Sequence, residues 1–154
     1  MNSTPNNIAG TPGSKSRTSK LNIPLKFITF NCRGGLSKTN KRRTLFSKFH
    51  KSNYDFIALQ ETHLANQNII NSISTEWGGP VHFVRGTGWG KGLMTLFHPK
   101  FQNQETNTVF KSDRVLVSTL QLGSERLHII NVYGPCENQY KCEFFSKSRY
   151  IAGR

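Results

Sequence analysis

Acidic residues are scarce in this sequence. Asp and Glu total 8 against 21 Lys and Arg, leaving a formal charge of +13 and an isoelectric point near 10.1. Such a balance points to a polyanionic partner. Long apolar runs are also missing: no stretch approaches the roughly 20 residues that span a bilayer, and the N-terminus has no apolar leader segment. DNA or another nucleic acid is therefore expected ahead of a membrane, and a nuclear or cytoplasmic location ahead of secretion. No specific protein partner is indicated.

Cysteine is nearly as sparse. Cys32, Cys136 and Cys142 form no CxxC pair and no cluster with His at metal-ligand spacing, which excludes a zinc module and a disulfide framework as organising devices. Hydrophobic residues make up only 35% of the chain, and the shortfall lies mainly at the front. Residues 1–24 are Asn, Ser, Thr, Pro, Gly and Lys, with Ile8 and Leu21 nearly the only large apolar side chains. That composition cannot offset its own ordering entropy, so a disordered basic tail is expected. Its Lys15, Arg17 and Lys20 suit nucleic-acid contact, an import signal or a plain solvated tail.

What is present begins with a strand over residues 25–31, with Phe27, Thr29 and Asn31 on one face and Ile28 and Phe30 on the other. Asn40 is placed to cap a helix over residues 40–52 whose buried stripe is Leu45, Phe46 and Phe49. Lys41, Arg42 and Arg43 crowd its first turn, where cations oppose the macrodipole. They read either as a solvated charge run or as a phosphate contact. The run Phe56-Ile57-Ala58-Leu59 shows no alternation, the pattern of a strand covered on both faces, and it ends at Gln60-Glu61.

Downstream, residues 67–74 read as a short helix, and residues 81–85 and 93–97 as strands. The intervening Gly86, Gly88, Gly90 and Gly92 lack the Gly-Lys-Ser/Thr of a phosphate loop, so a hairpin connection is expected. Residues 115–122 and 125–133 flank Gly123-Ser124, the chemistry of a type II′ hairpin. A helix from Cys136, with Tyr140, Phe144 and Phe145 inward, completes an α/β layered fold. The division expected is a tail over 1–24, an ordered unit over 25–135 and a helix or tail over 136–154.

Three strand ends then present polar groups: Asn31, Gln60 with Glu61, and Asn131 with Tyr133. One carboxylate, amides and a phenol suit a hard oxygen-liganded cation such as Mg²⁺. Each has a structural alternative, the amides as turn pins and Tyr133 as a half-buried core aromatic.

Ile28-Thr29-Phe30-Asn31-Cys32-Arg33-Gly34, Ala58-Leu59-Gln60-Glu61-Thr62-His63, Gly92-Leu93-Met94-Thr95-Leu96-Phe97, Asp113-Arg114-Val115 and Ile130-Asn131-Val132-Tyr133-Gly134-Pro135 resemble segments of the endonuclease/exonuclease/phosphatase superfamily, in the same order. The closest resemblance is to the apurinic-type endonuclease domain of non-LTR (LINE-type) retrotransposons, over its N-terminal half. The resemblance implies a Mg²⁺-dependent phosphodiesterase in a four-layer, DNase I-like α/β sandwich that nicks DNA to leave a priming 3′-hydroxyl. Under it, Glu61 and Asn31 hold the metal and Tyr133 hydrogen-bonds the scissile phosphate. Gln60 and Asn131 support them, and Arg114 has a structural role or backs the residues of the site. The Gly-Asp-x-Asn and Asp-His segments of the family are absent from the sequence.

The expectation is therefore an endonuclease fragment, weak or inactive as given, whose main sheet lacks the second sheet needed to cover one face and whose stability is marginal. Alternatives are a non-catalytic basic nucleic-acid-binding module and a fragment of another phosphodiesterase or phosphatase of the superfamily.

Overall fold

A computed structural model describes residues 24–64, 66–86 and 91–152. The expected basic tail and the centre of the glycine-rich connection lie outside these residues. Ten regular elements follow in order: β1 (Phe27–Asn31), α1 (Thr39–Ser52), β2 (Phe56–Gln60), α2 (Gln67–Trp77), β3 (Val81–Val84), β4 (Leu93–Phe97), β5 (Thr106–Lys111), β6 (Val115–Leu122), β7 (Glu125–Val132) and α3 (Asn138–Ala152).

The apolar run of β2 sits inside a four-stranded sheet of order β1-β2-β4-β3, parallel to β1 and antiparallel to β4. Covering on both faces follows from its neighbours. Ile57 and Leu59 pack with Phe46 and Phe49 of α1 and with Ile70, Ile73 and Trp77 of α2. Phe56 points the other way, into a cluster with Phe97, Phe101, Leu120 and Ile129.

That second cluster corrects one expectation. Leu120 and Ile129 belong to an antiparallel sheet of order β5-β6-β7, so a second sheet does cover the first. The expectation of a bare inner face took its partner to lie outside the sequence. Instead the β6–β7 hairpin folds across β2 and β4, turning on Gly123 at φ 60°. Strand β5 has no apolar signature; its mostly exposed residues are held by pairing with β6.

Helix boundaries also differ. Asn40 is not the cap of α1: Lys38 holds the extended cap position and Asn40 lies within the first turn. Leu45 is half-buried, and the unforeseen member of the buried stripe is Arg42, at 3% exposure. Helix α2 runs past Ser74 to Trp77 because that indole is buried, stacks on His50 and donates Nε1–H to the Phe97 carbonyl at 2.6 Å. In α3, Tyr140 and Phe145 are exposed rather than inward and only Phe144 is partly covered. Their spacing is that of a buried face, yet no described strand or helix lies over these two rings.

Candidate active site

The ends of β1, β2 and β7 meet. Beyond β1, the Cys32 N–H donates to the Gln60 carbonyl and the Gly34 N–H to the Glu61 carbonyl, both at 2.8 Å, so the two loops are laced together past the last strand pair. Arg33, Glu61 and His63 all adopt positive φ, at 44°, 50° and 51°. Left-handed backbone at non-glycine residues costs about 1–3 kcal/mol each, and such strain concentrates where geometry serves a site. Opposite them, Gly92 (φ 80°) lies so close that an added Cβ would stand 2.5 Å from Thr62 Oγ1, while His63 N–H bonds the Lys91 carbonyl at 2.8 Å. Only glycine fits there.

Glu61 is the centre of this arrangement. Its Oε1 accepts from Asn31 Nδ2 at 2.8 Å and from the Tyr133 hydroxyl at 2.7 Å. Asn31 is oriented for this by accepting from the Arg33 N–H through Oδ1 at 3.0 Å. The bond from Asn31, then that from Tyr133, hold the Glu61 carboxyl below the usual carboxylate range, with His63 and Lys91 adding positive charge. The same bond, with burial, pushes the Tyr133 phenol up to about 12, so it remains a donor at neutral pH. The second oxygen, Oε2, stands 4.0 Å from His63 Nε2.

Beneath the carboxylate runs a buried amide relay. Gln60 Nε2 donates to Asn131 Oδ1 at 2.8 Å, and Asn131 Nδ2 donates to the carbonyls of Leu59 and Met94 at 3.1 and 3.0 Å. Asn131, 1% exposed, thereby bolts β7 to β2 and β4 from the other sheet. Two residues on, Tyr133 is steadied by Arg114, whose Nη1 donates to the Tyr133 carbonyl at 3.4 Å and whose guanidinium lies 5.5 Å from the ring centre. A cavity of ≈ 500 Å³ opens beside Tyr133, lined also by Lys91, Arg114, Cys136 and Tyr140.

A model of the Endonuclease/Exonuclease/phosphatase family matches residues 28–149. The chain belongs to this family. Among solved structures, it resembles the endonuclease domain of TRAS1, a telomere-specific non-LTR retrotransposon, with TM-score 0.55 and 11% identity over 82% of this chain and 54% of that one. It also resembles the AP endonuclease LMAP from Leishmania major, with TM-score 0.54 and 24% identity over 81% of this chain and 46% of that one. A third likeness, to truncated Caenorhabditis elegans TDP2, has TM-score 0.56 and 15% identity over 82% and 55%. The chain thus spans about half the length of these structures. Comparison with curated protein sequences gives no match. The fold is accordingly the DNase I-like α/β sandwich that the sequence motifs imply.

All five residues of this family member singled out in the sequence, Asn31, Gln60, Glu61, Asn131 and Tyr133, are brought together. Lys91 and the backbone strain at Arg33, Glu61 and His63 were not foreseen. Lys91 carries no motif, and its place is set by the pairing of the Gly92 loop against Thr62 and His63. Among the described residues, no three His, Cys, Asp or Glu side chains gather to hold a metal. No described helix is long and apolar enough to cross a membrane.

Proposed function

We propose that this site hydrolyses phosphodiester bonds of DNA, with Glu61 and Asn31 holding Mg²⁺ and Tyr133 donating to the scissile phosphate. The observation that carries the reading is the convergence of Asn31 Nδ2 and the Tyr133 hydroxyl on one oxygen of Glu61. It keeps the carboxylate ionised while leaving Oε2 for another ligand. A single carboxylate beside an amide suits a hard cation that retains several waters, which describes Mg²⁺ better than zinc. When bound, the ion would neutralise charge developing on phosphate oxygens.

The chain's own residues supply the rest. Tyr133, kept protonated, has a single hydroxyl hydrogen, which Glu61 Oε1 holds here and which would turn to a phosphate oxygen when substrate enters, and Lys91 and Arg114 bring positive charge to the adjoining cavity. Basic composition and the likeness to two endonucleases, one from a retrotransposon and one acting at AP sites, support DNA as the substrate. The Gly-Asp-x-Asn and Asp-His segments are not in the sequence. Loss of a general base alone costs about 10²–10⁴-fold, so turnover by this chain alone is weak or nil.

A Mg²⁺ titration followed by NMR, run beside nicking of supercoiled plasmid, tests the proposal. Mg²⁺ should move the side-chain resonances of Glu61, Asn31 and Tyr133, and Glu61→Gln should abolish those shifts together with any nicking. Resonances that ignore Mg²⁺, or nicking indifferent to Glu61→Gln, would overturn it. Salt-sensitive DNA binding with no response at Glu61 would instead favour the reading as a nucleic-acid-binding module without chemistry, which the charge of +13 supports.

A further inference from the structure

Helix α1 carries Lys41, Arg42, Arg43, Lys48 and Lys51 and not one Asp or Glu. Folding removes one of these cations from the surface: Arg42 turns inward to a bidentate bond with Glu76. The cluster Lys41 to Arg43 is therefore not a phosphate cradle. What remains is a stripe. Lys41 and Lys48 are seven residues apart and lie within about 20° of each other around the helix. With Asn40, Thr44 and Leu45 they line one shallow groove on the face away from Phe46 and Phe49. Lys38, exposed at the cap, leads into this stripe.

None of Lys38, Lys41 and Lys48 forms an ion pair with a carboxylate among the described residues. Lys41 also sits where the helix macrodipole disfavours a cation. Uncompensated like charges along one helix face are unfavourable for the free protein and favourable for a polyanion.

The stripe's position links it to the site. Its leading end follows the 3₁₀ turn Gly35–Ser37, and the loop before that turn is tied to Glu61 through the Gly34 N–H. From Lys41 to Lys48 the helix rises about 10 Å, comparable to about three base-pair rises of about 3.4 Å along the axis of B-DNA.

We propose that Lys38, Lys41 and Lys48 dock the sugar-phosphate backbone of a DNA duplex, holding the strand that enters the Glu61 site. This rests on the phosphodiesterase reading for its choice of DNA, and its test is independent of catalysis. The three lysines each neutralise a phosphate, contacts that position the duplex without selecting sequence.

The experiment is fluorescence anisotropy of the full chain with a 24-base-pair duplex across a salt series. Neutralising a phosphate contact lowers the slope of log K against log salt by about 0.9. The Lys38→Gln/Lys41→Gln/Lys48→Gln variant should therefore lose about 2.7 from the slope. A charge-matched control, Lys111→Gln/Arg126→Gln/Lys147→Gln, should leave it nearly unchanged. Urea midpoints of both variants establish that they fold. Equal losses in stripe and control variants would mean diffuse charge and overturn the proposal. So would a stripe effect seen on heparin but not on duplex DNA. If the stripe effect holds while Mg²⁺ leaves Glu61 unmoved, the docking surface stands and the phosphodiesterase reading falls. If Glu61 responds and the slope does not change, the reverse is true.

Discussion

Tyr133 donates its phenolic hydrogen to Oε1 of Glu61 at 2.7 Å, joining residues 72 positions apart in the chain. The bond ties the edge of one sheet to the functional end of the other, and it stabilises the ionised carboxylate. Its removal should be legible as a titration shift. Tyr133→Phe is expected to raise the Glu61 pKa toward the ordinary value near about 4.3, leaving Asn31 as the remaining donor. A side-chain ¹³C titration reads this directly. A Glu61 pKa identical in both proteins would mean the phenol does not donate to the carboxylate in solution.

The sign of the pH dependence follows from the same residue. Glu61 and Glu76 both titrate below the usual carboxylate range, held down first by Asn31 and by Arg42 respectively. A carboxylate whose folded pKa is depressed adds stability that is complete above its unfolded pKa and is lost as pH falls through the folded one. Urea midpoints should therefore be flat from about pH 7 to 5 in respect of these two groups and fall below about pH 4.

Arg42 is the sharper test of the fold. Its Nε and Nη2 donate to the two oxygens of Glu76 at 2.8 and 2.7 Å, and Nη1 caps the Leu36 carbonyl at 2.8 Å. Breaking a buried pair by removing one partner costs about 3–5 kcal/mol. The Glu76 side chain retains 23% of its exposure, which lowers the expected loss for Arg42→Met to about 2–3 kcal/mol. The double variant Arg42→Met/Glu76→Leu should regain much of it, because an apolar pair leaves no uncompensated charge. Additive losses would show that the two residues act separately.

These two pairs mark where sequence reading succeeds and where it stops. The apolar run Phe56 to Leu59 announces a strand buried on both faces, and Glu61 at its end is legible because strand periodicity is local. Arg42 is not: among Lys41 and Arg43 it looks solvated, and only an acid 34 residues away explains its burial. The relation of Gln60 to Asn131 likewise depends on how two sheets stack across 71 residues. Strand β5 escapes for another reason, since Thr106–Lys111 exposes most of its side chains and draws its order from backbone pairing with β6. Tyr140 and Phe145 show the converse, an apolar spacing with no described element above it.

Asn131 should be intolerant of conservative change. It is 1% exposed and uses both amide hydrogens on the Leu59 and Met94 carbonyls while accepting from Gln60. Asn131→Ala removes the donors to the buried Leu59 and Met94 carbonyls, each lost bond costing about 1–3 kcal/mol, while Gln60 Nε2 keeps its bonds to Thr29 Oγ1 and the Ala58 carbonyl. A loss of about 3 kcal/mol in urea unfolding is therefore expected. Asn131→Asp keeps the shape but replaces both donors with a carboxylate facing carbonyl oxygens, and it should be at least as damaging. An Asp variant of native stability would exclude the relay.

Thiol chemistry separates the core from the cavity. Cys32 is buried between the strand end and the core, where burial and then the Glu61 charge push its thiol up to about 12. Cys136 and Cys142 are exposed. Because the thiolate is the reacting species, a disulfide reagent at pH 8 should titrate two thiols quickly and the third only on the timescale of unfolding. Adding urea past the midpoint should merge the phases into one. Rapid reaction of all three in native buffer would place the Cys32 loop in solvent. That would dissolve the lacing of Cys32 to Gln60 on which the placement of Glu61 depends. Slow reaction of Cys136, in contrast, would leave the core assignment intact and show that the cavity beside Tyr133 is closed in solution.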